Sequence, residues 1–479
     1  MAEHDDGVVD ELGKEEAGPT TTWTAEEEKS ALRHLDWSLI PLVAAMNLCS
    51  FLDRGNIGNA YAAGMGEEWG ITSADYSWAI TVLYIAYISF QWFTIIWTFI
   101  PPHIWTAIML FGWGSASILQ SVANNQATLL ALRFLIGFFE AGFIPPVALY
   151  LSFFYHRNEM GLRYGLFISA APLASTFASA LAYGIVHAET SIANWKLLFI
   201  IEGIPTIIVA SVAFFYLPAS PSKCRFLTPR ENEIISQRAI KGRGEKPQTG
   251  VNFQQVLAAF MDPTNYLQAA IIFSINTAYG SFPAYLPTIL SEIGFSTLNS
   301  QGLSAAPYLI AFFLCVGASF LSDRMKSRGV FVIVCCIVGS IGYVLLATVH
   351  TTAVRYFACF VVAGGLFPAV AVTFAWVTDN QGSASKRGAG LTIFGSLGQT
   401  GPILGARLFP KSEAPYYTRG MAVCAGILFG AALVAVVLTV TYRVKNKRRD
   451  EKYGKSDLDF VPPDVADLGD AHPMYRYVV

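Results

Sequence analysis

Charged residues are scarce in this 479-residue chain: they make up 14% of it, whereas hydrophobic residues make up 53%. Soluble domains carry about 25% charged residues, so the composition excludes a soluble globular protein. The formal net charge is −2, which gives no indication of a nucleic-acid partner or of a generally basic membrane-binding surface.

Several functional signatures are also missing. The seven cysteines lie mostly in apolar segments without metal-ligand spacing, so we read them as packing residues and expect no disulfide framework. The scattered histidines predict no metal site. The chain has no phosphate-binding GxxxxGK[ST] loop and no hydrolase triad. We therefore expect no enzyme and no cofactor, with an ion gradient rather than ATP as the driving force.

Long apolar runs dominate what is present. Runs long enough to cross about 30 Å of hydrocarbon as helices lie at 37–62, 77–99, 104–122, 126–150, 163–186, 196–217, 264–290, 303–321, 330–349, 354–377, 388–408 and 420–442. They predict an all-α membrane protein with twelve transmembrane helices in two six-helix halves.

Polar segments divide the chain into five parts. We expect a disordered tail at 1–35, an N-terminal six-helix bundle at 36–217, a linker loop at 218–262, a C-terminal six-helix bundle at 263–443 and a tail at 444–479. Lys and Arg concentrate in the C-terminal tail, the linker and the loops on their side of the membrane, so the positive-inside rule predicts that both termini are cytoplasmic.

A faint repeat relates the two halves. Arg163 and Arg387 each close a polar loop and precede a glycine at which a new helix starts, and we assign them gating or structural roles. Two six-helix halves joined by a basic loop are typical of a transporter that rocks around a site at the membrane midplane. We expect a monomer in the lipid bilayer that carries a small molecule.

Two opposite charges lie within the fourth apolar run, in the stretch 131–163. Arg133 and Glu140 are seven residues apart, which places them on one stripe of a helix at heights about 10 Å apart. Charges at this depth are costly unless they face a partner or water. One hypothesis is a structural ion pair; the other is an anion-binding Arg beside a protonatable Glu on a transport path. The Pro145-Pro146 pair should loosen this helix.

The first apolar run holds a second polar cluster of Asn47, Ser50, Asp53 and Arg54. Either Asp53-Arg54 marks the outer end of the helix, or the helix continues and keeps the pair inside the bundle. In the second case one residue can bind an anion while the other titrates, because adjacent residues point about 100° apart.

Three further polar residues are candidates for functional roles. Asn276 and Tyr279 of the seventh run are candidates for substrate contact. Glu202 in the sixth run is a further buried carboxylate, and we favour a structural or gating role for it over substrate contact.

Specific motifs along residues 36–479 resemble the fungal allantoate permease family of anion:cation symporters, within the major facilitator superfamily. They include Phe51-Leu-Asp53-Arg54-Gly-Asn56, Arg133-Phe-Leu-Ile-Gly137-Phe-Phe-Glu140, Trp195-Lys-Leu-Leu-Phe-Ile-Ile-Glu202-Gly-Ile-Pro205 and the terminal Tyr475-Arg476-Tyr477. The loop Asp323-Arg324-Met-Lys-Ser-Arg328-Gly329 also resembles the family's corresponding loop in the second half. We assign gating or structural roles to Asp323 and Arg324.

The resemblance implies proton-coupled import of a small organic anion across the plasma membrane. Carried over to this chain, Arg54 and Arg133 would hold the substrate carboxylate, while Asp53 and Glu140 would carry protons; Asn47 joins the substrate-binding candidates. The chain departs from the family pattern at Gln91, at the Pro101-Pro102-His103 loop and at Pro146. Two alternatives therefore stay open: an exporter of a fungal metabolite, and a transport-inactive nutrient receptor.

Overall fold

The structure, a computed structural model, describes residues 23–93, 100–151, 153–156, 159–186, 191–241, 252–292, 294–456 and 469–479. Within these ranges the regular elements are helices and no strand occurs. The predicted all-α fold is therefore confirmed. Most of the tail predicted at 1–35 lies outside the described residues.

Helices of membrane length fill both halves of the chain. The first half contains α1 (Ala25–Ala60), the short α2 (Gly66–Glu68), α3 (Ser73–Ser89), α4 (Pro102–Leu119), α5 (Gln126–Glu140), α6 (Ile144–Leu151), α7 (Met160–Val186) and α8 (Asn194–Tyr216). The linker forms α9 (Pro229–Lys241) and α10 (Phe253–Met261). The second half contains α11 (Pro263–Glu292), α12 (Thr297–Arg324), α13 (Gly329–Thr348), α14 (Thr352–Asp379), α15 (Ala384–Gly398), α16 (Gly401–Gly405) and α17 (Thr418–Tyr453).

Among the described helices, 7 meet the length and hydropathy needed to cross a membrane. The other predicted segments are shorter, less apolar, as is the 30-residue α11, or broken into two helices. The fourth segment breaks between Glu140 and Ile144, next to the proline pair that the sequence marked as a weak point. The eleventh breaks between Gly398 and Gly401.

The first helix begins earlier than the predicted start at residue 36. Thr24 forms a capping box with Glu27, in which each side chain accepts a hydrogen bond from the other residue's backbone N–H. This arrangement satisfies N–H groups that a helix start leaves without partners. Residues 25–35 are therefore helical, and the predicted boundary of the polar tail was wrong there.

The C-terminal segment 469–479 folds back onto the second half. Asn380 exchanges two hydrogen bonds of 2.8 and 2.9 Å with the backbone of Val478, and Trp376 Nε1 donates to the same carbonyl oxygen. Tyr477 stacks on Tyr442 with ring centroids 4.9 Å apart. This part of the predicted tail is thus packed against the helices.

A buried ion-pair network fixes the segment further. Lys386 Nζ lies 2.8 Å from Asp470 and 2.9 Å from Asp262. Burial alone would raise the pKa of Asp262, but the charge of Lys386 and the hydrogen bonds from Thr264 and Lys386 together hold that pKa below its usual range. Because the folded-state pKa is lowered, this contribution to stability is present at neutral pH and is lost only as the pH falls through that pKa.

The two halves meet at both ends of the bundle. We call the end at which α1 begins and α17 ends the terminal end. There Tyr164 packs on Phe374 with centroids 5.7 Å apart. At the opposite end Tyr76 donates a 3.2 Å hydrogen bond to the carbonyl oxygen of Ala284. The interior between them is therefore closed in this conformation.

Candidate substrate and proton site

The polar cluster of α1 lies in the middle of a continuous helix. Asn47, Ser50 and Asp53 are at most 1% exposed, and the Arg54 side chain is 11% exposed. Since α1 continues to Ala60, Asp53 and Arg54 do not mark its outer end. The cluster faces the bundle interior.

Arg54 and Glu140 form the central ion pair. Arg54 Nη2 lies 2.9 Å from Glu140 Oε2, although the groups are not aligned as a hydrogen bond. The other carboxylate oxygen of Glu140 accepts from the Ser50 hydroxyl. Phe51, Tyr84 and Tyr87 surround the guanidinium with ring centroids 5.2–5.6 Å away; such rings stabilise a cation in a desolvated site.

Arg133 is buried at 1% exposure without a carboxylate partner among the described residues. Its Nη1 lies 3.3 Å from the carbonyl oxygen of Arg54 and 3.5 Å from that of Asp53, and its Nε and Nη2 have no hydrogen-bond acceptor there. The hypothesis of a structural Arg133–Glu140 pair is therefore wrong. The two residues share a stripe of α5, but at different heights they meet different parts of α1.

Asp53 lies on another side of α1. Its Oδ2 accepts a 2.7 Å hydrogen bond from Thr206 of α8, and its Oδ1 is buried without a hydrogen-bond partner among the residues that the structure describes. Glu202, one turn earlier on α8, is also 1% exposed, and neither of its carboxylate oxygens has a partner within the described ranges. The two carboxyl groups interact electrostatically.

A cavity of about 50 Å³ lies between the two halves. Arg54 and Arg133 line it from the first half, and Tyr279 and Phe367 line it from the second. A buried water needs about 10–15 Å³, so this space holds only a few waters. The halves must separate before an organic molecule can enter.

The uncharged candidates divide into two groups. The Tyr279 ring packs between Phe51 and Phe367, and its hydroxyl is buried with no hydrogen-bond partner in the described residues. The amides of Asn47 and Asn276 instead donate to the carbonyl oxygens of Phe167 and Gly398. In this conformation they tie helices together, and only Tyr279 of the three lines the cavity.

Four of the predicted gating or structural residues lie toward the terminal end, whereas Glu202 lies in the bundle interior. Arg163 binds both carboxylate oxygens of Asp36 at 2.7 Å. Arg387 donates to the carbonyl oxygen of Gln381, and Arg324 is exposed at the end of α12. The hydrogen bonds of Arg163 and Arg387 stabilise loops near the membrane surface.

Asp323 makes a further contact between the two halves at the terminal end. It pairs with Arg328, which also pairs with Asp379 at 3.1 Å. The backbone N–H of Leu162 in α7 donates to the Asp323 carboxylate, and a Cβ at Gly161 would overlap the same carboxylate. A glycine is therefore required for this close approach.

Sequence reasoning missed Tyr84, Tyr87 and Thr206. The two tyrosines are three residues apart in an otherwise apolar helix, which places them on one face. That spacing could have indicated that both tyrosines face one site. No sequence pattern marks Thr206, because a lone threonine in a helix usually bonds to its own backbone.

Comparisons with known proteins give a consistent result. The sequence profile of the Major Facilitator Superfamily matches residues 43–406. The chain is 30% identical over 477 residues to the major facilitator-type transporter hxnP of Emericella nidulans, an alignment that covers 96% of this chain and 95% of that protein. It is 27% identical to the high-affinity nicotinic acid transporter of Saccharomyces cerevisiae, over 94% of this chain and 85% of that protein.

The solved structures that resemble this chain include the xylose transporter XylE from E. coli in a partially occluded inward-open conformation. The TM-score is 0.63 at 13% identity, and the match covers 83% of this chain and 96% of XylE. A likeness at this identity shows the fold alone.

Proposed function

The chain belongs to the Major Facilitator Superfamily, and on that premise we propose that it imports a small organic anion together with protons. Within the superfamily we assign it to the allantoate permease family, whose motifs it carries. We also propose that it is a monomer in the plasma membrane. The distribution of Lys and Arg along the chain supports a cytoplasmic location for both termini.

The observation that carries the proposal is Arg133, a buried cation that lines the cavity without a carboxylate partner in the described part of the chain. An unpaired buried charge is costly, and a planar guanidinium matches the geometry of a carboxylate. The substrate carboxylate would supply the missing charge. Tyr279 and Phe367 would contact the apolar part of the substrate across the cavity.

The Arg54–Glu140 pair supports the proposal of proton coupling. While Glu140 is ionised, it holds Arg54. Protonation of Glu140 would release Arg54 toward the cavity, where it could bind the substrate together with Arg133. Anion binding would in turn favour protonation of Glu140, because coupling between two binding events is reciprocal. Asp53, which accepts a hydrogen bond from Thr206, would be a second protonatable site, and Glu202 would keep a structural or gating role.

The nature of the substrate is supported by a relative. The yeast relative is named as a transporter of nicotinic acid, a small aromatic acid that is an anion at neutral pH. An aromatic cavity wall with two arginines suits a molecule of this kind, so we propose an aromatic or heterocyclic carboxylate as the substrate class.

Paired ligands test this proposal on the purified full-length protein. Nicotinate and nicotinamide differ chiefly in the carboxylate, and thermal unfolding would be followed with increasing amounts of each, alongside other acid and amide pairs. We expect stabilisation by an acid and none by its amide; a ligand at 100 times its Kd stabilises by about 2.7 kcal/mol. Equal stabilisation by an acid and its amide would rule out carboxylate recognition.

A further inference from the structure

A second pocket lies at the terminal end, outside the transport cavity. It has a volume of about 420 Å³ and opens between the start of α4, the end of α8 and the beginning of the linker. His103, Lys223 and Arg225 line it together with Phe215, Tyr216 and Asn232. The transport site described above uses none of these residues.

The positive charges of this pocket have no carboxylate partner in the described part of the chain. Arg230 and Arg238 of the same linker pair with Glu27, Glu28, Glu159 and Glu233. Over the described ranges, by contrast, no carboxylate lies within ion-pair distance of Lys223 or Arg225. His103 Nδ1 and Asn232 Oδ1 are buried there without hydrogen-bond partners. The pocket thus offers two unpaired cations and further polar groups to an anion.

One wall of the pocket is apolar and exposed. Phe214, Phe215 and Tyr216 at the end of α8 are 46%, 60% and 60% exposed. Aromatic side chains at the end of a membrane helix lie at the level of the lipid headgroups. A ligand in this pocket would therefore meet cations on one side and the lipid hydrocarbon boundary on the other.

We propose that this pocket binds the headgroup of an anionic phospholipid. The phosphate would lie between Lys223 and Arg225, close to His103, and the acyl chains would run along the aromatic wall. Basic pockets between membrane helices on the cytoplasmic side suit such headgroups. A soluble anion would contact Lys223 and Arg225 but would bury no apolar surface against the aromatic wall.

The test uses the full-length protein in neutral detergent micelles. Phosphatidylinositol, phosphatidylcholine or inorganic phosphate is added, and the change in unfolding temperature gives an apparent affinity. We expect stabilisation by phosphatidylinositol, and a loss of about 30-fold in its apparent affinity in the K223Q/R225Q variant, since each cation near the surface contributes about fivefold. Both side chains are exposed, so the variant should fold; K223Q alone should lose about fivefold.

The K447Q/R448Q variant is the matched control, because it removes one exposed Lys and one exposed Arg from the same end of the molecule. It should keep the wild-type affinity. An equal loss in both double variants would overturn the proposal in favour of non-specific attraction. Stabilisation by phosphatidylcholine equal to that by phosphatidylinositol would overturn it too, and equal stabilisation by inorganic phosphate would identify a free-anion site.

Discussion

Replacement of Glu140 by Gln tests how the protons and the substrate are coupled. The substitution removes the charge that holds Arg54 at 2.9 Å but retains a group that can accept from Ser50. The variant therefore mimics the protonated carboxyl. If one proton is taken up with each anion, wild-type affinity should fall by up to about tenfold for each unit by which the pH rises.

Binding of a labelled acid that stays ionised between pH 5.5 and 7.5 measures this slope. We expect a decrease of up to about 100-fold for the wild type over these two units and less than about threefold for Glu140→Gln. The variant should still exchange substrate across vesicles but should not accumulate it. Glu202→Gln is the control, because Glu202 is as buried as Glu140 but has no guanidinium partner; it should keep the slope. A wild-type slope in Glu140→Gln would refute the coupling role.

Three further substitutions have defined outcomes. Arg133→Ala should weaken anion binding by about 10- to 100-fold in a protein that still reaches the membrane, because a charge-assisted hydrogen bond contributes about 1.5–3 kcal/mol; binding of the labelled acid measures it. Gly161→Ala should push Asp323 away from α7 and open the terminal end, detected as faster maleimide labelling of a cysteine placed at Phe374. Asp470→Asn should lower the free energy of unfolding by about 1–3 kcal/mol, since it breaks a buried bond to Lys386, as thermal unfolding would show.

Each substitution has a matched comparison. Arg133→Lys keeps the charge and should retain part of the affinity that the alanine variant loses. Gly184→Ala adds a methyl to the same helix in open space and should leave labelling unchanged. Glu451→Gln breaks only an exposed 3.9 Å pair with Lys447 and should not alter stability. A comparison variant that behaves like its partner would contradict the corresponding assignment.

Much of this arrangement could be predicted from the sequence because a membrane imposes strict rules. Apolar length sets the helices, so the centre of each predicted span lies within a helix of the structure, although α1 begins at Ala25 and α17 continues to Tyr453, beyond the predicted limits. The cost of burying a charge also showed that Asp53, Arg54, Arg133 and Glu140 face the interior, and all four are buried or nearly so.

The pairing of these charges could not be predicted in the same way. Spacing along α5 showed that Arg133 and Glu140 share a stripe, but the height of α5 relative to α1 decides which one meets Arg54. That height depends on the packing of many side chains. The packing of residues 469–479 was missed for a similar reason, since its contacts with Lys386 and Asn380 lie far apart in sequence.

Uptake by the purified protein in proteoliposomes tests proton-coupled anion import most directly. A panel of labelled carboxylates would be offered with and without an inward proton gradient. We expect one acid to accumulate above its external concentration and to leave when the gradient is collapsed. Failure of every acid to accumulate, with loss of a preloaded metabolite when the gradient is reversed, would contradict import and identify an exporter.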